Sequence, residues 1–256
     1  MNYQLTEIFQ KATPDDAKFI IETLDSYINF TNDAEMKAML SMWESGPMPI
    51  ALAHKLEKEI RYVGSSDIAY WARKIGSMFL PVEAGVSINE VIDDVYKTLK
   101  INIKGKVDTI EKKLEIIVEK MIGETFYSLT SEEQIELLKK LDTSEEQRAR
   151  IIDDIKSNKR IISVLISVLG MKAAEKIVSA IIFRVIAVFL GKKAAEKLIK
   201  EILKKNPWMA FLGPIAIVSL VQSIVDLAGP AMRKTIPIVL YLGLIAIRDG
   251  LEDIEE

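Results

Sequence analysis

Residues 206–225 read NPWMAFLGPIAIVSLVQSIV, twenty uncharged positions in a row between Lys205 and Asp226. As a helix, twenty apolar residues rise about 30 Å, the thickness of a bilayer's hydrocarbon core. The same pattern, apolar around the whole circumference, belongs equally to the central helix of a bundle. Asn206-Pro207 marks its start and Gly229-Pro230 its end. Gly213-Pro214 lies inside and predicts a kink, because proline removes one i→i−4 hydrogen bond and crowds the preceding turn. The span-or-core question raised by this stretch governs the rest of the reading.

Outward from it the charge is uneven. Residues 1–159 carry 21 Lys/Arg against 28 Asp/Glu, and residues 160–248 carry 13 against 4. The closing DGLEDIEE at 249–256 is acidic again. An acidic N-terminal part is thus joined to a basic, apolar C-terminal part, a pairing that suits an anionic membrane surface better than nucleic acid. Charge complementarity between the two parts explains it as well. No nucleic-acid partner is expected. With no cysteine and a single histidine, His54, disulfides, thiolate metal sites and His-pair metal sites are excluded. MNYQLTEIFQKATPDD at 1–16 has neither a basic start nor an apolar core, so no secretory signal is expected.

The whole chain has helical periodicity, and no segment alternates with period two between turn residues. Capping boxes, in which an N-cap side chain and an acid three residues on bind each other's free backbone N–H groups, mark several helix starts. They are Thr13-Pro14-Asp15-Asp16, Ser87 with Glu90, Asp108 with Glu111, Thr130 with Glu133, and Thr143 with Glu146. Residues 7–25 echo residues 124–142 at an offset of 117, with Phe9 and Phe126 as apolar anchors ahead of each cap. LGMKAAEKI at 169–177 recurs as LGKKAAEKL at 190–198, three heptads on, and predicts one long amphipathic helix over 160–205 or two joined near Gly191. A last apolar helix is expected over about Thr235–Ile247. SGPMP at 45–49 reads as a hinge and SMFLPVEAGVS at 77–87 as a loop.

No reaction is visible. The acid pairs Asp15-Asp16, Asp93-Asp94 and Asp153-Asp154 diverge by about 100° on a helix and read as helix starts or solvated faces. His54 lies on a helical pattern as a surface or half-buried residue, with no triad spacing around it. Gly64-Ser65-Ser66-Asp67 could cradle an anion on free N–H groups, or be an ordinary N-cap. Arg184 and Asp226 are the lone charges of their apolar runs. They are expected to pair with each other or face a polar cavity, unless Arg184 snorkels to solvent. Lys192, Lys193, Lys197, Lys200, Lys204 and Lys205, followed by Trp208 and Phe211, form a basic and aromatic approach to the apolar run, as at a membrane interface.

Several stretches resemble the YaaW-like family of bacterial proteins, which has no assigned activity. VGSSDIAYWARKIG at 63–76 is similar to the family's glycine-led helix start, with Gly64. VIDDVYKTLKIN at 91–102 resembles its Asp-Val-x-x-x-Leu-Lys helix, with Asp94. TFYSLTSEEQIELLKKLD at 125–142 resembles the next hairpin, and GPAMRKTIPIVLYLGLIAIR at 229–248 the closing segment, through Arg233, Thr235, Ile236, Pro237 and Arg248. The opening NYQLTEIFQKATPDDAKFIIETL is similar to the short module that begins these proteins. Ser65-Ser66 departs from the family's second glycine. The family is at times grouped with ubiquinol–cytochrome c chaperones, so the resemblance implies a binding role.

The expected fold is all-α, a multi-helix bundle whose apolar C-terminal hairpin is wrapped by amphipathic helices. Three segments are expected: a short helical module at 1–45, an acidic helical domain at 46–157, and an apolar, basic hairpin with an acidic tail at 158–256. The expected function is non-enzymatic, without cofactor or metal: membrane association or insertion, the hairpin being shielded in a soluble form. The alternative is a soluble chaperone or adaptor holding a partner protein in a helix-lined groove. A cytoplasmic protein, peripheral to or inserting into the inner membrane and open to homo-oligomerisation, fits either.

Overall fold

The computed structural model describes residues 3–25, 33–64, 86–102, 107, 109–139, 143–157, 160–190 and 230–250. Among these there are eleven helices and no strand: α1 (Thr6–Gln10), α2 (Pro14–Asp25), α3 (Asp33–Met42), α4 (Ile50–Gly64), α5 (Ile88–Thr98), α6 (Ile110–Ser128), α7 (Ser131–Lys139), α8 (Glu145–Lys156), α9 (Ile161–Leu169), α10 (Met171–Leu190) and α11 (Pro230–Gly250).

The helices begin where side chains can satisfy their free N–H groups. The capping boxes at Thr13–Asp16, Ser87–Glu90 and Thr130–Glu133 are all formed. The two others are displaced by one residue. Thr109, accepting from the Lys112 amide, caps α6 in place of Asp108. Ser144 with Gln147 caps α8 in place of Thr143 with Glu146, because Thr143 is buried and its hydroxyl donates to the Leu138 carbonyl. Beyond each cap, apolar residues recur at helical spacing and turn inward, as Leu52, Leu56 and Ile60 do on α4. Phe9 and Phe126, matched in the internal echo, are both buried ahead of their caps. The second copy differs in context, since its short helix is the last turn of the 19-residue α6.

One long helix over 160–190 is not what forms. The chain breaks at Gly170, where φ is +76°, a backbone region that L side chains rarely adopt. The Gly170 amide closes the end of α9 on the Ile166 carbonyl. The 21-residue echo that suggested continuity therefore starts across a helix break. Gly191 and the rest of the basic stretch lie outside the described residues.

Helix α11 organises the core. It starts at Pro230, five residues earlier than expected, because a proline at the first helical position lacks only an N–H that would have had no partner. Every residue from Thr235 to Ile247 is buried. At 3.6 residues per turn, thirteen consecutive buried positions point in all directions, so the helix is covered all round. Helices α1, α2, α4, α5, α6 and α10 pack against it, and one apolar cluster runs from Leu5 to Ile247 through all three expected segments. Of the expected hairpin, only this second arm lies within the described residues; 206–225 lies outside them. Among the described residues, no helix is long and apolar enough to cross a membrane.

Candidate functional site

A cluster of polar side chains set in this apolar core centres on Asp16, which is 4% exposed. The start of α2 places it. Thr13 is the N-cap, its amide donating to Asp16 Oδ2 at 2.7 Å and its hydroxyl to the same oxygen at 2.8 Å. Across the interface, the Tyr241 hydroxyl donates to Oδ1 at 2.8 Å. Arg248 completes the site with a two-pronged contact, Nη1 to Oδ2 at 2.8 Å and Nη2 to Oδ1 at 3.1 Å. Nη1 also donates to the Lys11 carbonyl at 3.0 Å. Tyr241 and Arg248 are seven residues apart, two turns along one face of α11. An aromatic wall closes the cluster on one side. Phe19, nearly one turn beyond Asp16, stacks on Tyr241 at 3.9 Å, and Phe183 of α10 meets Phe19 edge-on at 6.0 Å.

The electrostatics hold these groups in fixed charge states. Burial pushes the Asp16 carboxyl up, but the hydrogen bonds and charge of Arg248, with the bonds from Thr13, hold it below the usual carboxylate range. Burial and the Asp16 charge push the Tyr241 phenol well up. Burial works against the Arg248 cation, and Asp16 more than offsets it. The cluster is therefore aspartate, arginine cation and neutral phenol near neutral pH. Such a set binds two helices together and offers no proton near pH 7.

Two further acids, one buried and one half-buried, join distant segments in the same manner. Glu57 on α4, 2% exposed, accepts from the amides of Gln4 and Leu5 at 3.0 and 2.7 Å, capping α1, whose own N-cap Leu5 supplies no side-chain bond. Glu119 on α6 accepts from the amides of Ile161 and Ile162, capping α9 where Arg160 supplies none. Burial raises the Glu119 carboxyl above its ordinary value despite those bonds and the nearby Arg160 charge. A carboxyl raised on folding destabilises the fold when ionised, and that cost is relieved as pH falls through its folded pKa. The Glu119→Gln variant should therefore compare better with wild type at about pH 7 than at about pH 4 in urea unfolding. The opposite trend would show that the charged cap is favourable.

The residues singled out from sequence are distributed differently. Lys192, Lys193, Lys197, Lys200, Lys204, Lys205, Trp208, Phe211 and Asp226 lie outside the described residues. Arg184 is half-buried on α10, where burial lowers its pKa. Gly64 ends α4 against Val91, and Asp94 pairs with Lys97 at 2.8 Å on the surface of α5. On α11, Arg233 is exposed, Thr235 buried and Pro237 inside the helix. His54 is half-buried and stacks on Tyr3 at 3.5 Å. Asp93 reaches Lys113 at 2.6 Å, away from Asp94's partner. Asp15 and Asp16 both lie at the start of α2, as expected; Asp15 is exposed, whereas the Asp16 carboxylate is the centre of the buried cluster. Among the described residues, no group of three or more His, Asp or Glu side chains could hold a metal ion. Compared with known protein families, with curated proteins and with solved structures, the chain finds no match in any of the three.

Proposed function

We propose that this chain is a non-enzymatic, membrane-associating helical protein that keeps its most apolar helices covered until it meets a bilayer. The observation that carries the proposal is α11: thirteen successive buried residues inside a shell of six helices. A helix apolar on every side has two stable surroundings, other helices or lipid. Thirteen residues rise about 20 Å, too short to span alone. Insertion would therefore use α11 together with the twenty uncharged residues at 206–225, as a hairpin. The lysines at 192–205 would meet anionic headgroups first, each contributing about 1 kcal/mol near the surface.

The test is fractionation of the expressed full chain with carbonate washing of membranes, alongside release of dye from phosphatidylglycerol vesicles. The expected result is a membrane-bound fraction and dye release, both reduced when Lys192, Lys193, Lys197, Lys200, Lys204 and Lys205 are changed to Gln. Complete recovery in the supernatant with intact vesicles overturns the proposal.

A further inference from the structure

We propose that α1 and α2 form a detachable cover over α11, and that the Asp16–Tyr241–Arg248 cluster is the clasp that selects its closed position. The cover stands on packing and hydrogen bonding alone; that its opening frees α11 for a membrane rests on the proposed function.

The two helices both pack against α11 and otherwise lie mainly against α3 and α4. Their inner surface is apolar: Leu5, Ile8, Phe9, Ala17, Ile20, Ile21 and Leu24 are almost fully buried. Apolar contact is non-directional, so such a surface alone would accept neighbouring registers on α11. A two-pronged arginine–carboxylate contact does not, because both nitrogens and both oxygens must coincide. The clasp thus supplies the directionality that the apolar face lacks.

The internal echo separates this role from helix capping. Thr130 and Glu133 form the same capping box at the start of α7, with Glu133 exposed. Capping therefore needs no buried carboxylate. Asp16 is carried inward, one methylene shorter than Glu133, and there it meets Arg248. Arg248 is itself 31% exposed at the rim while Asp16 lies beneath it. Opening would return the guanidinium to water or headgroups at little cost and leave the closed state dependent on the buried acid.

Hydrogen exchange of the full chain tests the clasp. In Asp16→Asn, amides of α1, α2 and the 241–248 turns of α11 should exchange roughly tenfold faster, with α7 and α8 unchanged. Tyr241→Phe, which keeps the ring stacking and removes one bond, should give a smaller rise in the same segments, and serves if Asp16→Asn folds poorly. Glu133→Gln should affect only α7. A uniform rise across all helices, or none in α1 and α2, overturns the cover. The same variants are then added to phosphatidylglycerol vesicles, where increased binding in the order of increased exchange is expected. Selective opening without vesicle binding leaves the cover standing and overturns the membrane function.

Discussion

Arg248→Met should lower the unfolding free energy by about 3 kcal/mol at neutral pH, the low end for breaking a buried ion pair. Methionine keeps most of the apolar stem, so the loss reports the missing cation rather than missing volume. The Asp16 carboxylate, 4% exposed, keeps its bonds from Thr13 and Tyr241 but loses its counter-charge. The low end applies because water reaches Arg248, whose side chain is 31% exposed. The pH dependence has a definite sign. In the wild type the Asp16 pKa is below its unfolded value, so its contribution is complete above that unfolded value and lost as pH falls through the folded one. In the variant, burial acts on the carboxyl without Arg248 to oppose it, and neutralisation of the acid becomes a relief. The stability gap between the two proteins should therefore narrow on acidification from about pH 7 to about pH 4. Adding Asp16→Asn to the variant should restore part of the loss, because no charge then remains buried. Strictly additive losses in urea unfolding would mean that the two residues are not coupled.

The contrast between this cluster and the helices around it explains what the sequence made legible. Helix class, the three capping boxes and the apolar faces all arise from residues within a turn or two of one another, so local pattern was enough. Asp16 belongs to such a pattern, and the pattern misled: Thr-Pro-Asp-Asp is complete as a helix start, and nothing in it says that the third helical residue faces inward. Its partners lie 225 and 232 residues away. Glu57 and Glu119 were less legible still, because their partners are backbone amides, which every non-proline residue carries. One signal was readable. Arg248 closes an apolar run in which Tyr241 sits two turns earlier on the same face, and such a pair at the edge of a core helix calls for an acid. The break at Gly170 was obscured differently: the three-heptad echo suits a continuous helix, while the glycine after an apolar turn is also an ordinary helix end.

Gly243→Leu should cost about 3 kcal/mol or more through overpacking at a close approach of α11 to α6. A side chain there would overlap Val118 Cγ2, and even its Cβ would lie 3.3 Å from the Leu114 carbonyl oxygen. Gly→Ala in an open helix interior gains about 1 kcal/mol. Here the overlap opposes that gain, so Gly243→Ala should be destabilising in thermal melts. Val118→Ala should relieve the first overlap and not the second, because Leu114 presents backbone that can move only with its helix. The Gly243→Ala/Val118→Ala protein should accordingly melt above the level expected from the sum of the single changes. A Gly243→Ala protein as stable as wild type would mean that α6 and α11 are free to separate. The same contact bears on function. Glycine lets the two backbones approach and closes the shell around α11 on its α6 side, so weakening it loosens the covering without touching the clasp. If α11 leaves its shell to meet lipid, Gly243→Leu should bind phosphatidylglycerol vesicles more than wild type does. If α11 stays enclosed throughout, the variant should lose stability and bind no more than before.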